Sequence, residues 1–217
     1  MAAVRAILWD NDGVLVDTER LFYEANRHML AGQGITLSER DFFNWYLLHN
    51  CGAWHVLRGR GADRDRIDAL RTERDQLYTD LLAAAGDTAI PGMPALLADL
   101  APRVPMGIVT SARRVHFDAI HAGLGLLPHF RFVLTSDMYG RSKPSPEPYL
   151  LGLDTLGVPA EQCLVVEDSP RGLQAARAAG IRCIVLRNSM SMDFPFEGAH
   201  CVVDTVQSLR EAIDGLL

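Results

Sequence analysis

Short apolar runs alternate with helix-forming stretches through most of the chain, and this alternation constrains the fold more than any other feature. The runs are only a few residues long and nearly continuous in apolar residues, which favours strands buried on both faces. Such strands are typical of a parallel sheet covered by helices. The predicted strands cover residues 3–9, 104–109, 130–134, 163–166, 182–186 and 201–203. The predicted helices of this part cover residues 113–123, 146–156, 171–179 and 206–217.

The segment that follows the first predicted strand has a different pattern. Apolar positions recur at helical spacing over residues 19–30, 39–48 and 64–85, with Ser38 and Asp63 as candidate caps of the last two helices. We therefore predict an α/β fold in which a helical segment interrupts the sheet. A Rossmann-like parallel sheet core takes residues 1–16 and 90–217, and an inserted all-helical cap domain takes residues 17–89.

Composition excludes several classes of protein. The 217 residues are 48% apolar and 22% charged, as in ordinary globular domains, and the net charge of −6 argues against a nucleic-acid partner. No apolar run reaches the roughly 18 residues of a membrane span, so we expect no membrane partner. The N-terminal apolar run is too short for a signal peptide, which predicts a cytoplasmic protein.

Polar side chains follow several predicted strands at the point where each strand ends. In open α/β sheets, ligands bind outside the carboxyl ends of the strands, so these side chains are expected to share one crevice. Only one cation of the chain, Lys143, is a lysine, which indicates that its position needs a compact ammonium group. The candidate residues are Asp10, Asp12, Thr110, Ser111, Glu167 and Asp168, with Lys143 in a nearby loop.

This set of side chains suits a metal-bound phosphoryl group. Carboxylates that lie close together repel one another unless a cation joins them, and hard oxygen ligands favour Mg²⁺. Asp10 and Asp168, ionised beside a phosphate dianion, would carry negative charge that Mg²⁺ and Lys143 together nearly balance. Glu167 would then need a partner of its own or a longer distance.

Asp10 and Asp12 are two residues apart, with a turn at Gly13 that lets their side chains diverge. One carboxylate could attack phosphorus while the other, kept protonated, gives its proton to the leaving oxygen. A simple turn explains the same residues. A calcium loop does not, because its twelfth position, counted from Asp10, is Leu21 and not a glutamate.

Four segments, in order, resemble the motifs of the haloacid dehalogenase-like (HAD) phosphohydrolases. They are Asp10-Asn-Asp-Gly-Val-Leu-Val-Asp-Thr-Glu, Ile108-Val-Thr-Ser, Lys143-Pro-x-Pro and Val166-Glu-Asp-Ser. The resemblance covers essentially the whole chain, and the helical insert resembles the type-1 cap of the β-phosphoglucomutase and sugar-phosphate phosphatase branch.

The resemblance implies catalytic roles position by position. Asp10 would be the nucleophile that forms an aspartyl-phosphate, and Asp12 would be the general acid and then the base for water. Thr110 would hold a phosphoryl oxygen with Ser111 adjacent, and Lys143 would neutralise charge on Asp10 and the phosphoryl group.

The resemblance also implies a Mg²⁺ site. Asp10 and Asp168 would supply carboxylates, and Asp12 would supply its backbone carbonyl. Glu167 would be either a further ligand or a support for the others. Asn11 departs from the family's usual apolar or aromatic residue beside the nucleophile, and we include it among the candidates for substrate contact.

Several branches of the family are disfavoured. The dehalogenases lack the second aspartate that Asp12 provides, and the phosphonate-cleaving enzymes need a cap lysine, whereas the only lysine is Lys143. A β-phosphoglucomutase-type mutase stays open, although Phe22 stands where that branch has a cap histidine and the loop at 48–55 has no lysine or arginine.

The expected function is therefore a Mg²⁺-dependent phosphatase of a small phosphorylated metabolite, with a sugar or polyol phosphate preferred. The alternatives are the mutase and a silent domain that only binds a phosphorylated ligand or a partner protein. His49 and Asn50 of the cap are candidates for contact with the leaving group, or simply an exposed helix end. The chain is expected to be a monomer or a weak homodimer, and closely spaced crossings into the cap would suit hinge opening.

Overall fold

The computed structural model describes residues 2–191 and 194–217. Residues 1, 192 and 193, which fall within the predicted core ranges, lie outside the described residues. The chain divides into two compact units, one of Met1–Asp17 with Asp87–Leu217 and the other Thr18–Gly86. No helix among the described residues is both long and apolar enough to cross a membrane.

The first unit is built on a parallel sheet of six strands in the order β3-β2-β1-β4-β5-β6. The strands are β1 (Ala6–Trp9), β2 (Met106–Val109), β3 (Val133–Leu134), β4 (Cys163–Glu167), β5 (Arg182–Leu186) and β6 (Cys201–Val203). The predicted fold class is confirmed by this sheet and by the helices between its strands. The strand predicted at 130–134 is shorter than expected, since only two residues pair with β2.

Helices cover both faces of this sheet. Leu8 belongs to one buried cluster with Tyr149 and Leu173 from the helices that follow β3 and β4. Its neighbour Ile7, which points to the other face, is equally buried. The helices of this unit are α5 (Met93–Leu100), α6 (Arg114–His121), α7 (Glu147–Leu156), α8 (Pro170–Ala178) and α9 (Val206–Asp214).

The second unit is helical throughout. Its helices are α1 (Glu19–Ala31), α2 (Glu39–Phe42), α3 (Trp54–Gly59) and α4 (Arg64–Ala84), with a π-helix at Phe43–Leu48. The two predicted caps are confirmed, because the side chain of Ser38 accepts from Asp41 N and that of Asp63 accepts from Arg66 N. An aromatic cluster lies within this unit, with the ring centre of Phe22 5.2 Å from that of Tyr78 and 5.8 Å from that of Tyr46.

Three elements differ from the sequence prediction. The helix expected over 39–48 changes to a π-helix in its second half, where His49 N donates to Asn44 O five residues earlier. Helices α3 and α5 were not predicted. Both are short, so neither offers the several turns over which apolar spacing becomes distinctive.

The chain leaves and re-enters the sheet unit at adjacent points. Asp17 N donates to Thr88 O at 2.8 Å, and Val16 forms an antiparallel bridge with Ala89. These pairs attach residues 17, 88 and 89 to the sheet unit, whose second segment begins at Asp87, whereas the predicted boundaries assigned these residues to the cap. The condition for a hinge, two neighbouring crossings, is met, and the hinge itself stays a prediction.

Candidate active site

The central strands of the sheet bring the predicted residues to one edge. Trp9 of β1 is in register with Ile108 of β2 and Val166 of β4, so the residues that follow these three positions are neighbours. Asp10 N continues the pairing by donating to Val166 O at 2.9 Å. Main-chain hydrogen bonds therefore fix the position of Asp10, the candidate nucleophile, independently of any side-chain contact.

Lys143 is buried at the centre of this edge, with 1% of its surface exposed. Its Nζ donates to Asp10 Oδ1 at 2.7 Å, to Glu167 Oε1 at 2.7 Å and to Val109 O at 3.0 Å. The same nitrogen lies 4.8 Å from the centre of the Tyr149 ring. Three acceptors in different directions suit the three protons of an ammonium group, and a planar guanidinium could not reproduce this arrangement.

Glu167 is the second partner of this lysine, and both of its carboxylate oxygens are engaged. Oε1 also accepts from the Tyr149 hydroxyl at 2.6 Å. Oε2 accepts from Asp168 N at 3.1 Å, from Ser169 N at 3.3 Å and from Ser169 Oγ at 3.0 Å. A Cβ on Gly172 at the start of α8 would overlap this carboxylate, so the glycine makes its position available. These contacts favour the supporting role for Glu167 over the metal-ligand role.

The buried charges shift one another's pKa values. Burial would lower the pKa of Lys143, but the charges of Asp10 and Glu167 together raise it above its usual value. Burial would raise the pKa of Glu167, but Lys143 lowers it below its usual value. Burial, followed by the charge of Glu167, raises the pKa of Asp10 to about 7. Lys143 and Glu167 thus form a stable ion pair, and Asp10 is left with too little positive charge to stay fully ionised at neutral pH.

Three carboxylates form a group that suits a metal ion. One oxygen from each of Asp10, Glu167 and Asp168 lies within 4.8 Å of the others. Asp168 is 2% exposed, and its Oδ2 accepts from Asn188 Nδ2 at 2.7 Å. Gly13 adopts a φ of +80°, and a Cβ there would overlap the Asp168 carboxylate. Both Glu167 oxygens already accept hydrogen bonds, so Asp10 and Asp168 are the two of these carboxylates left to hold a cation. A divalent cation would offset the negative charge of Asp10, so these two carboxylates fit Mg²⁺.

Asp12 lies beside this group and is half-buried. Its Oδ2 accepts from Asn11 Nδ2 at 3.2 Å and from Thr110 Oγ1 at 3.4 Å. The turn after β1 is closed by Gly13 N donating to Val16 O at 2.8 Å. Asp10, Asp12 and Thr110 are therefore brought together as expected. The role of the Asp12 carbonyl as a metal ligand stays a prediction.

Of the predicted substrate-contact residues, Ser111 and Asn11 belong to the sheet unit, whereas His49 and Asn50 belong to the helical unit. Ser111 Oγ is buried at the sheet edge. Asn11 is fully buried, and its Oδ1 lies 2.7 Å from His121 Nε2, so its amide serves the protein's own network instead of facing a substrate. His49 and Asn50 are exposed residues of the helical unit, and their role stays a prediction.

Several residues of this network were missed in the sequence, among them Asn188 and His121. Asn188 follows the end of β5 by two residues, and the strand-end rule applied to that strand would have found it. His121 is the last residue of α6, 110 positions from its partner Asn11. No local pattern signals a pairing of that kind.

Comparison with known proteins identifies the family that this fold and site define. The family described as haloacid dehalogenase-like hydrolase matches residues 4–180. That is most of the chain, so the chain belongs to this family of enzymes. The family predicted from the four sequence motifs is confirmed.

Individual relatives agree with the predicted phosphatase branch. The chain is 30% identical to the plasmid protein CbbY of Cupriavidus necator, over 92% of this chain and 85% of that protein. It is 32% identical to hexitol phosphatase A of Escherichia coli, over 88% and 86% of the two chains. The crystal structure of a CbbY mutant from Rhodobacter sphaeroides with xylulose-(1,5)bisphosphate matches with a TM-score of 0.78 and 27% identity, covering 93% and 94% of the two chains. These relatives support a phosphoric monoester hydrolase.

Proposed function

We propose that this enzyme is a Mg²⁺-dependent phosphatase that hydrolyses a small sugar or polyol phosphate through an aspartyl-phosphate on Asp10. The observation that carries the proposal is the buried cluster of Asp10, Lys143, Glu167 and Asp168 at the carboxyl ends of β1 and β4. In this cluster the carboxylate of Asp10 lies against the ammonium group of Lys143 and beside the carboxylate of Asp168. A phosphoryl dianion and a divalent cation would complete the arrangement.

In the first half-reaction Asp10 attacks phosphorus, so a bond forms between its carboxylate oxygen and phosphorus as the bond to the leaving oxygen breaks. Asp12 gives its proton to that oxygen, and an alcohol departs. Lys143 holds Asp10 in place and opposes the negative charge of the phosphoryl group. The hydroxyls of Thr110 and Ser111 donate to phosphoryl oxygens in the proposed complex.

In the second half-reaction Asp12, now a carboxylate, takes a proton from water as that water attacks phosphorus. The bond between phosphorus and Asp10 breaks, inorganic phosphate leaves, and both aspartates return to their starting states. Mg²⁺ held by Asp10 and Asp168 would neutralise phosphoryl charge and polarise the phosphoryl oxygens. Glu167 keeps Lys143 ionised and oriented throughout.

The substrate class rests on the relatives and on the helical unit. The named relatives include a hexitol phosphatase and a protein crystallised with a sugar bisphosphate. His49 and Asn50 remain our proposed contacts for the leaving group. The cytoplasmic location and the monomer or weak homodimer also stay predictions.

The mutase is the competing function, and the product distinguishes the two. Phe22 packs among aromatic rings of the helical unit, with the guanidinium carbon of Arg74 4.9 Å from its ring centre, so this position offers no titratable group. The test is a panel of hexose, pentose and hexitol phosphates with Mg²⁺ or with a chelator. Phosphate release that needs Mg²⁺ supports the phosphatase, whereas a phosphosugar isomer formed without phosphate release contradicts it.

A further inference from the structure

A buried histidine lies behind the site and has no part in the chemistry described so far. His121 ends α6 and is 6% exposed, and its Nε2 lies 2.7 Å from Oδ1 of the fully buried Asn11. Its ring also packs against Phe117, with ring centres 4.3 Å apart. Asn11 lies between the two aspartates of the first motif. The hydrogen bond to Asn11 therefore connects His121 of α6 to the segment that carries both aspartates.

The direction of this hydrogen bond can be assigned. Burial lowers the pKa of His121 to about 4, so the ring is neutral near pH 7 and carries one N–H. Its Nδ1 is buried and has no hydrogen-bond partner within the described part of the chain. Because the Oδ1 of Asn11 can only accept, Nε2 carries the proton and donates to it.

The histidine thereby sets the orientation of the Asn11 amide. With Oδ1 turned to His121, the Nδ2 group points the other way and donates to Asp12 Oδ2 at 3.2 Å. Thr110 Oγ1 donates to the same oxygen at 3.4 Å. The Asn11 donor stays in place when the Thr110 hydroxyl turns to a phosphoryl oxygen, so it holds the rotation of the Asp12 carboxyl group during the reaction. An apolar residue at position 11 could make neither the hydrogen bond to His121 nor the one to Asp12.

We infer that His121 is a positioning residue that acts through Asn11 to hold the Asp12 carboxyl group in the orientation needed for proton transfer. This inference rests on the proposed role of Asp12 as general acid. The histidine touches no reacting atom, so its effect is confined to how well Asp12 delivers its proton.

The dependence on the leaving group separates this role from a purely structural one. A nitrophenolate leaves readily without a proton, whereas an alkoxide needs one from Asp12. A misplaced Asp12 therefore slows cleavage of an alkyl phosphate more than cleavage of an aryl phosphate. General damage to the fold lowers both by the same factor. The constant kcat/KM is the one to compare, because it reports the step in which the leaving-group bond breaks.

The test compares 4-nitrophenyl phosphate with glycerol phosphate for the native chain, His121→Phe and His121→Gln. Phe keeps a ring against Phe117 and removes the donor. We expect kcat/KM for glycerol phosphate to fall about tenfold more than that for 4-nitrophenyl phosphate in His121→Phe. Gln can place an amide N–H near the position of Nε2, and this variant should recover most of the difference.

Two further variants guard against a folding artefact. Ile120→Val removes one methyl group from the same buried helix face and leaves both Asn11 and His121 in place, so any loss in kcat/KM should be equal for the two substrates. Asn11→Leu combined with His121→Phe replaces both buried partners by apolar groups, which preserves the fold better than removing one. It should show the same discrimination between leaving groups as His121→Phe.

Equal losses for both substrates in His121→Phe and in the double variant would overturn the inference. The proposed function would still stand if phosphate release remained dependent on Mg²⁺ and on Asp10. If Asp10→Asn released phosphate at the native rate, the proposed function would fall and the inference with it.

Discussion

The ammonium nitrogen of Lys143 lies 2.7 Å from Asp10 Oδ1, although the two residues are 133 positions apart in the chain. The contact joins the loop after β3 to the end of β1. Lys143 is the only lysine among 21 cationic residues, and it is buried where three acceptors converge. A cation at this point both lowers the cost of a buried nucleophile and opposes the charge of an incoming phosphoryl group.

Replacing Lys143 by Met should destabilise the protein and abolish its activity. Glu167 would be left buried without its cationic partner, which costs about 3–5 kcal/mol in comparable buried pairs. Chemical denaturation measures the loss of stability, and phosphate release measures the activity. The double variant Lys143→Met with Glu167→Gln removes both charges and should regain much of the stability but none of the activity. Full activity in either variant would contradict the assigned role of Lys143.

Gly172→Ala should disturb the same ion pair from the other side. The added methyl group would overlap the Glu167 carboxylate, so we expect a loss of about 1–3 kcal/mol in the free energy of unfolding, as for other overpacked sites. Phosphate release should fall with it, because Glu167 orients Lys143. Gly59→Ala in α3 is the matched control, since a Cβ there meets nothing within 4 Å. Equal stabilities for the two variants would show that Glu167 is not confined as described.

Asn188→Ala should weaken metal binding with little effect on folding. Asn188 Nδ2 holds Asp168 Oδ2 at 2.7 Å, and loss of such an orienting group commonly lowers metal affinity about 10- to 100-fold. The Mg²⁺ concentration needed for half-maximal phosphate release should rise accordingly. An unchanged Mg²⁺ requirement would contradict the role of Asn188 in orienting Asp168 for metal binding.

Binding of Mg²⁺ to the metal-free protein should release a proton below neutral pH. Burial raises the pKa of Asp10 to about 7, so this group is protonated at pH 6 and must ionise to bind a cation. Calorimetry in two buffers of different ionisation enthalpy should show release of about one proton at pH 6 and about none at pH 8. The same number of protons at both pH values would contradict the raised pKa.

The raised pKa of Asp10 should also make the stability of the metal-free protein depend on pH. Between the usual pKa of 3.8 and about 7, the native protein keeps a proton on Asp10 that the unfolded chain has released. The native state therefore binds more protons, and this group lowers stability as pH rises through that window. Asp10→Asn should remove this contribution, which denaturation at pH 5 and pH 8 can test.

Much of the site could be predicted because it depends on where strands end. Asp10 and Thr110 directly follow buried apolar strands, so a parallel sheet makes them neighbours whatever the details of packing. The multiple hydrogen bonds of Glu167 could not be predicted, because they require the hydroxyl of Tyr149 and the absence of a side chain at Gly172. Contacts of that kind depend on how helices settle on the sheet.

In the helical unit, the helical character could be predicted, but the type of one helix could not. Its helical character is clear from the spacing of apolar residues, and Ser38 and Asp63 mark two helix starts correctly. The π-helix at Phe43–Leu48 has the same apolar pattern as an α-helix over so short a segment, so spacing does not distinguish the two.

The central claim is that Asp10 is a nucleophile that works with Mg²⁺, and the most direct measurement is phosphate release from 4-nitrophenyl phosphate. The native chain and Asp10→Asn are compared, each with Mg²⁺ and with a chelator. The account predicts release only by the native chain with Mg²⁺, and a loss of at least about a thousandfold in the variant. Native-like release by Asp10→Asn, or release by the native chain that persists in chelator, would contradict it.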